Sequence, residues 1–210
     1  FGSAAKARLH SLEQRDAELA RLNTALATLD AELSRAGREL TAARRKVIPK
    51  LTKAVTRQLQ DLGFEQSELG VSLAVAASTA SGYDMVEFQF APNPGEPARS
   101  LRAIASSGEM ARVMLALKTV LAAEDQIPVL VFDEVDANVG GETANAVGDK
   151  MRQIARARQV ICITHLAPVA AAADTHFVVT KQVRDGRTLS DIQPLGTRQR
   201  VDELARMLGG

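Results

Sequence analysis

Leu12, Leu19, Leu26, Leu33, Leu40 and Val47 recur every seven residues, and this spacing constrains the chain more than any other feature of its sequence. Leu22, Leu29, Ala36 and Ala43 lie three residues beyond the inner members, completing an a/d pattern that drives a helix to bury a narrow stripe against another helix. Gly and Pro are missing from Ala4 to Ala36, and Ala, Leu, Glu and Arg dominate there, so local propensity agrees. At 1.5 Å per residue the seam spans roughly 55 Å. One helix cannot cover its own seam, and the chain contains no second such run, so an antiparallel coiled-coil partner helix is expected from elsewhere. Arg15 falls on a d-type position and weakens the outer end. Pro49 lacks a backbone donor and crowds the preceding turn, which predicts a kink or break near Val47–Pro49. A further helical stretch, with Leu51, Val55, Leu59 and Leu62 on one face, should end at Gly63.

Charge divides the chain in the same place. Residues 1–61 carry twelve Lys and Arg against seven Asp and Glu, while residues 62–210 carry fourteen against eighteen. Arg35, Arg38, Arg44, Arg45, Lys46, Lys50, Lys53 and Arg57 face a single acid, Glu39. Such a stretch suits nucleic-acid phosphates, and it equally suits a solvated helix face. Apolar runs such as Pro128–Phe132 and Ala167–Ala173 are too short to span a bilayer, so no membrane association is expected. Phe1-Gly2-Ser3 lead directly into a polar helical pattern with no secretory leader. A single cysteine, Cys162, excludes an internal disulfide framework and fits a reducing, cytoplasmic compartment.

Beyond Gly63 the hydrophobic period changes. Val71–Val75 and Met85–Phe90 alternate as strands do, and residues 91–95 form a loop. Glu109–Ala122 is then predicted helical, Val129–Phe132 a buried strand, Thr143–Ala155 helical and Gln159–Thr164 a second buried strand. Val169–Ala173 reads as a helical turn, His176–Lys181 as a strand, and Val201–Leu208 as a helix stopped by Gly209-Gly210. Apolar strands alternating with helices imply an α/β fold with a parallel-type sheet covered by helices. The expected division is a coiled-coil arm and neck over residues 1–62 and a globular lobe over residues 63–210.

Three segments of the lobe carry chemistry. Asp133 and Glu134 emerge at the C-terminal end of an apolar strand, the edge where open α/β sheets bind ligands. Asp133 is placed to hold Mg²⁺ on nucleotide phosphates, and Glu134 to accept the proton of an attacking water. Acids commonly follow buried strands, so this pair is weak evidence alone. Ser106-Ser107-Gly108-Glu109 opens a helix, where free N–H groups and the positive dipole end suit a phosphate, although ordinary N-caps look the same. Thr164-His165 ends the next apolar strand, and His165 is placed to donate to a γ-phosphate or orient the water. The three follow one another about 25–30 residues apart, as consecutive α/β units do.

In that order these segments resemble the signature loop, Walker B strand and switch histidine of the ABC/SMC ATPase superfamily, with Asp136-Ala137-Asn138 where that superfamily has its D-loop. The resemblance is closer to its RecN family. It rests on Pro92-Asn93-Pro94-Gly95-Glu96-Pro97, on Ile104–Glu109 running into Arg112–Lys118, and on Phe132–Asp136. Thr164-His165-Leu166 and the ending Glu203-Leu204-Ala205-Arg206-Met207-Leu208-Gly209-Gly210 complete it.

The resemblance implies the C-terminal lobe of an ABC/SMC-type ATPase head. Two such heads, as a homodimer, would sandwich ATP and Mg²⁺. Asp133 would serve the metal, Glu134 and His165 the hydrolysis, and Ser106, Ser107, Gly108, Glu109 and Asp136 the nucleotide across the dimer. Linear DNA ends are the implied partner, held or bridged during double-strand-break repair at the nucleoid. No Gly-x-x-x-x-Gly-Lys-Ser/Thr occurs in the sequence, so a P-loop is expected from the protein's own N-terminal half, the chain reads as truncated, and alone it should be inactive. The family pattern has Ser-Gly-Gly-Glu where this chain has Ser106-Ser107-Gly108-Glu109. A positive φ at Ser107 would weaken ATP engagement; a negative φ would make the extra hydroxyl harmless. The competing expectation is a non-hydrolysing coiled-coil scaffold on a degenerate ATPase fold.

Overall fold

The computed structural model describes residues 2–184 and 187–209; Phe1 and Gly210, which begin and end the sequence patterns above, lie outside them. The chain divides into two compact units, Phe1–Pro49 with Leu73–Val86, and Lys50–Ser72 with Glu87–Gly210.

Helix α1 runs from Gly2 to Asp61 with Pro49 inside it, so of the kink or break expected at Val47–Pro49 the break does not occur. An interior proline costs a helix about 3 kcal/mol, and here the helix is anchored on both sides of it. Before Pro49, Thr41 and Arg44 are tied to Asp84; after it, Val55, Leu59 and Leu62 are fully buried. The helix ends where the sequence placed its stop. Gly63 takes φ +86°, and the Phe64 N–H reaches back to the Leu59 carbonyl at 3.1 Å, the wide bond of a Schellman-type cap.

In the first unit the heptad stripe is bare: Leu19, Leu26 and Leu33 are each about half exposed. Strands β1 (Glu68–Thr79) and β2 (Gly82–Ala91) pair as a hairpin whose tip clasps α1. The Asp84 carboxylate accepts from the Thr41 hydroxyl at 2.8 Å and from Arg44 Nη1 at 2.9 Å, and Arg44 Nη2 donates to the Ser81 carbonyl at 2.7 Å. Those donors, Arg44 foremost, hold the Asp84 carboxyl below the usual carboxylate range against an opposing effect of burial. The Tyr83 ring fills the place of a side chain at Gly37, where a Cβ would stand only 2.2 Å from a ring carbon.

The second unit holds the buried core. β3 (Arg99–Ser100) pairs antiparallel with β2, and a single 3₁₀ turn leads towards α2 (Ser107–Val120). β4 (Val129–Phe132), α3 (Gly141–Ala155) and β5 (Gln159–Cys162) form a βαβ unit, with the strands parallel in the register Val129↔Gln159 to Phe132↔Cys162. α4 (Ala167–Ala171) follows, then β6 (Phe177–Arg184) and β7 (Arg187–Pro194), an antiparallel pair, then α5 (Thr197–Met207). The fold is mixed α/β with a long N-terminal helix and a parallel strand pair, as the sequence implied. Val113, Leu115 and Ala116 of α2, Val147 of α3 and the edge-on Phe64–Phe90 pair at 5.2 Å are at its centre.

β4 and β5 read as buried strands, yet only alternate residues are covered. Leu130 and Phe132 are buried, whereas Val131 is 63% exposed and Ile163, just past β5, is 58% exposed. Since Val131 pairs with Ile161, these residues and Val129 share one face of the pair, and that face is apolar and bare. A continuous apolar run states that both faces need covering; it does not state that one chain supplies both covers. β7 had no clear sequence signal because it is exposed along its whole length.

Candidate nucleotide site at the ends of α2, β4 and β5

The sequence-predicted residues gather around two turns of the second unit. The first follows β4. Asp133 and Glu134 both emerge exposed, and Glu134 takes φ +56°. Asn138, four residues on, takes φ +58°. Among the described residues these are the non-glycine positions in the left-handed region, each costing on the order of 1–3 kcal/mol, and such strain persists where the surroundings over-determine it.

Here the surroundings are α2. Its N-cap, Ser106, accepts the Glu109 N–H at 3.3 Å in the ordinary capping manner. Ser107 is the first helical residue and lies outside the left-handed region, so its side chain strains nothing. Its hydroxyl donates to Glu134 Oε2. Gly108 is buried against the Glu134 turn: an added Cβ would lie 2.9 Å from the Ala137 Cβ and 3.2 Å from the Glu134 carbonyl oxygen. Glycine is required there by close approach, not by φ.

The second turn follows β5 and is organised by Asp136. This carboxylate is 2% exposed. Its Oδ2 accepts from the Thr164 hydroxyl, from the His165 N–H at 3.1 Å and from the Leu166 N–H at 3.3 Å, and lies 3.4 Å from His165 Nδ1. A buried carboxylate needs this many donors to offset its desolvation. The His165 ring itself is largely exposed. Ser107, Gly108 and Glu134 are thus brought together at one turn, and Asp136 and His165 at the next, while Asp133 stands at the strand end between them. Cys162 in β5 is only partly exposed, and burial, reinforced by Asp136 and Asp133, pushes its thiol up to about 12.

Sequence reasoning gave no role to Arg112. It is buried, stacks over the Phe64 ring at 5.0 Å and donates from Nη1 to the Ala137 carbonyl at 2.9 Å, so it ties α2 to the turn beyond Glu134. Burial pushes its guanidinium below the usual arginine value, and Glu109 partly restores it. A charge on a helix face otherwise made of Val, Leu and Ala was the available signal.

Asp133, an exposed carboxylate at the end of a parallel strand pair, can contribute one ligand to Mg²⁺, and the exposed Ser107 beside the α2 N-terminus can meet a phosphate oxygen. Among the described residues there is no cluster of three or more side chains that could hold a metal ion, and no helix is long and apolar enough to cross a membrane.

No protein-family model matches the chain. It is 32% identical over 226 residues to the DNA repair protein RecN of Bacillus subtilis, covering all of this chain and 39% of that protein. It is 41% identical over 211 residues to RecN of Deinococcus radiodurans, covering all of this chain and 37% of that one. A shorter match, 50% over 129 residues, takes in 61% of this chain and 22% of RecN of Treponema pallidum. The chain thus spans about two fifths of the length of the curated relatives it matches end to end. Among solved structures, the Smc head domain with a coiled coil and joint from Pyrococcus yayanosii aligns with a TM-score of 0.53 at 22% identity, over 74% of this chain and 28% of that one. The Smc head domain with an extended coiled coil from Pyrococcus furiosus, bound to the C-terminal domain of ScpA, aligns at 0.50 and 21%, over 75% and 37%. The shared fold is that of an SMC head.

Proposed function

The chain belongs to the RecN family of DNA repair proteins, and from that premise we propose that it is the part of an ATPase that supplies the Asp-Glu strand, the switch histidine and the signature turn. The observation that carries this reading is the convergence on one surface of the α2 N-terminus and the left-handed Glu134 turn, with Glu134 exposed and held by Ser107.

In this reading Asp133 would hold Mg²⁺, which would supply neutralisation of charge on the transferring phosphate. Glu134 accepts the proton of the attacking water. His165, fixed through its own N–H by Asp136, presents its ring to the phosphate or the water. Ser106, Ser107, Gly108 and Glu109 form the turn that caps the nucleotide of a second head, so that ATP joins two copies of the protein, and Asp136 links that turn's neighbour to the histidine. The β- and γ-phosphates need a P-loop, which this sequence lacks. The bare face of Val129, Val131, Ile161 and Ile163 suits a second layer of the head, contributed by the rest of the protein. Residues 1–62 serve as arm and neck, pairing through the exposed heptad stripe with an antiparallel helix, and residues 63–210 serve as the head lobe. The work done is holding or bridging DNA ends in recombination, in the cytoplasm at the nucleoid, with the basic stretch around Arg44–Lys53 as a supporting feature.

The test uses the complete protein. Glu134→Gln should lower steady-state ATP turnover by about 10²–10⁴, as loss of a general base does, and light scattering should show an ATP-bound dimer accumulating. Undiminished turnover would remove Glu134 from the role. Absent turnover in the wild type, despite ATP binding and dimer formation, would establish a non-hydrolysing scaffold instead.

A further inference from the structure

Three contacts inside one chain hold the signature turn to the turn that carries Glu134, and they do not do the same work. Gly108 allows the backbones to touch, with the Ala137 carbonyl oxygen 3.3 Å from where a Cβ would be. Arg112, backed by the Phe64 ring, bonds that same carbonyl. These two fix one backbone against the other. The third, from the Ser107 hydroxyl to Glu134 Oε2, is the one that reaches the carboxylate. Glycine at position 107, as in the pattern the sequence resembles, would leave the first two contacts intact and remove the third.

We propose that Ser107 is a positioning residue for Glu134: its hydroxyl tethers the carboxylate to the signature turn of the same chain until that turn engages a nucleotide. The inference rests on Glu134 being the base. Ser107 and Glu134 are both exposed, so the bond lies on the surface that meets ligand and can be exchanged there. A hydroxyl has one proton to donate and rotates freely about its C–O bond. A phosphate oxygen arriving at the α2 N-terminus, where the helix dipole favours negative charge, competes with Glu134 for that proton. When Ser107 turns to the phosphate it keeps its proton, and Glu134 loses a donor. The freed carboxylate then takes a proton from water as the water oxygen bonds to the γ-phosphorus, and the bond from that phosphorus to the β,γ-bridging oxygen breaks, its electron pair leaving with ADP. Because the signature turn serves one nucleotide and Glu134 another, occupancy of one site licenses hydrolysis at its neighbour.

The experiment is steady-state ATP hydrolysis by the complete protein across ATP concentration, comparing wild type with Ser107→Ala and Ser107→Gly. Loss of one hydrogen bond to the base should raise turnover at ATP concentrations well below saturation, where the neighbouring site of the wild type is mostly empty and the tether holds, by about threefold to tenfold in both variants. It should also bring the ATP dependence from sigmoidal towards hyperbolic. The gain should vanish when Glu134→Gln is added, which a merely structural effect of position 107 would not require. Unchanged turnover at low ATP and an unchanged Hill coefficient in both variants would overturn the tether. A fall in turnover at low ATP would overturn it too, showing that the hydroxyl aids turnover. If Glu134→Gln alone is inactive while Ser107→Ala matches wild type, only the tether fails; if Glu134→Gln alone retains turnover, the reading of the site fails with it.

Discussion

Leu19, Leu26 and Leu33 on α1 are about half exposed, whereas Val113, Leu115 and Val147 of the second unit have no exposed surface at all. Both sets follow helical periodicity, and both are aliphatic. The difference is the source of the cover. α2 and α3 are packed by elements within the same unit, while nothing among the described residues covers the heptad stripe. What stabilises the first unit is instead a small set of fitted contacts at the hairpin tip: Tyr83 in the space at Gly37, and Asp84 between Thr41 and Arg44. Apolar pattern therefore says which residues will be covered, and leaves open what covers them.

Truncation is the sharpest way to break that contrast. Leu115→Ala should destabilise the chain by about 2–5 kcal/mol in urea denaturation, because a buried cavity is left behind, while Leu26→Ala should stay within about 0.5 kcal/mol. A comparable loss at Leu26 that grows with protein concentration would mean that the arm is already paired with another copy.

Gly37 separates local helix preference from tertiary fit. Alanine is favoured over glycine in a helix interior by about 1 kcal/mol. With Tyr83 in place, Gly37→Ala should nevertheless lower stability by about 1–3 kcal/mol, the usual cost of overpacking. In a Tyr83→Ala background the same substitution should raise it. The change of sign is the readout, and equal effects in the two backgrounds would remove the ring from the account.

The smallest expected effect concerns pH. The folded Asp84 carboxyl titrates below its unfolded value of about 3.9. In the acid range the unfolded state therefore binds more protons, and the contribution of Asp84 is complete above that value and lost as pH falls through the folded one. The difference in thermal midpoint between wild type and Asp84→Asn should be largest near neutrality and shrink steadily below about pH 4. A difference that is constant with pH would assign the contact to hydrogen bonding rather than charge.

Much of the site was legible because its chemistry follows local rules. Asp133-Glu134 sits at a strand end that four apolar residues define, and Ser106 caps a helix whose period begins just after it. Gly63 stops α1 for a reason that glycine alone carries. Other features were not legible. Pro49 predicts a break, but the anchors on either side of it come from residues about 40 positions along in one case and from a buried core in the other. Nothing near Asp136 signals that its carboxylate will be buried under three donors from residues 164–166, since that depends on β4 and β5 lying parallel. The donation from Ser107 to Glu134 crosses 27 residues for the same kind of reason.

Periodicity, helix stops and the order of the chemical motifs belong to the sequence by itself, because each is set by neighbours within a turn or a strand. The tertiary structure alone decided that α1 runs through Pro49, that one face of the β4–β5 pair is bare, and that Asp136 serves His165 while Ser107 holds Glu134. These outcomes depend on which distant surfaces meet, and the free energy of that meeting is shared among residues that no local pattern connects.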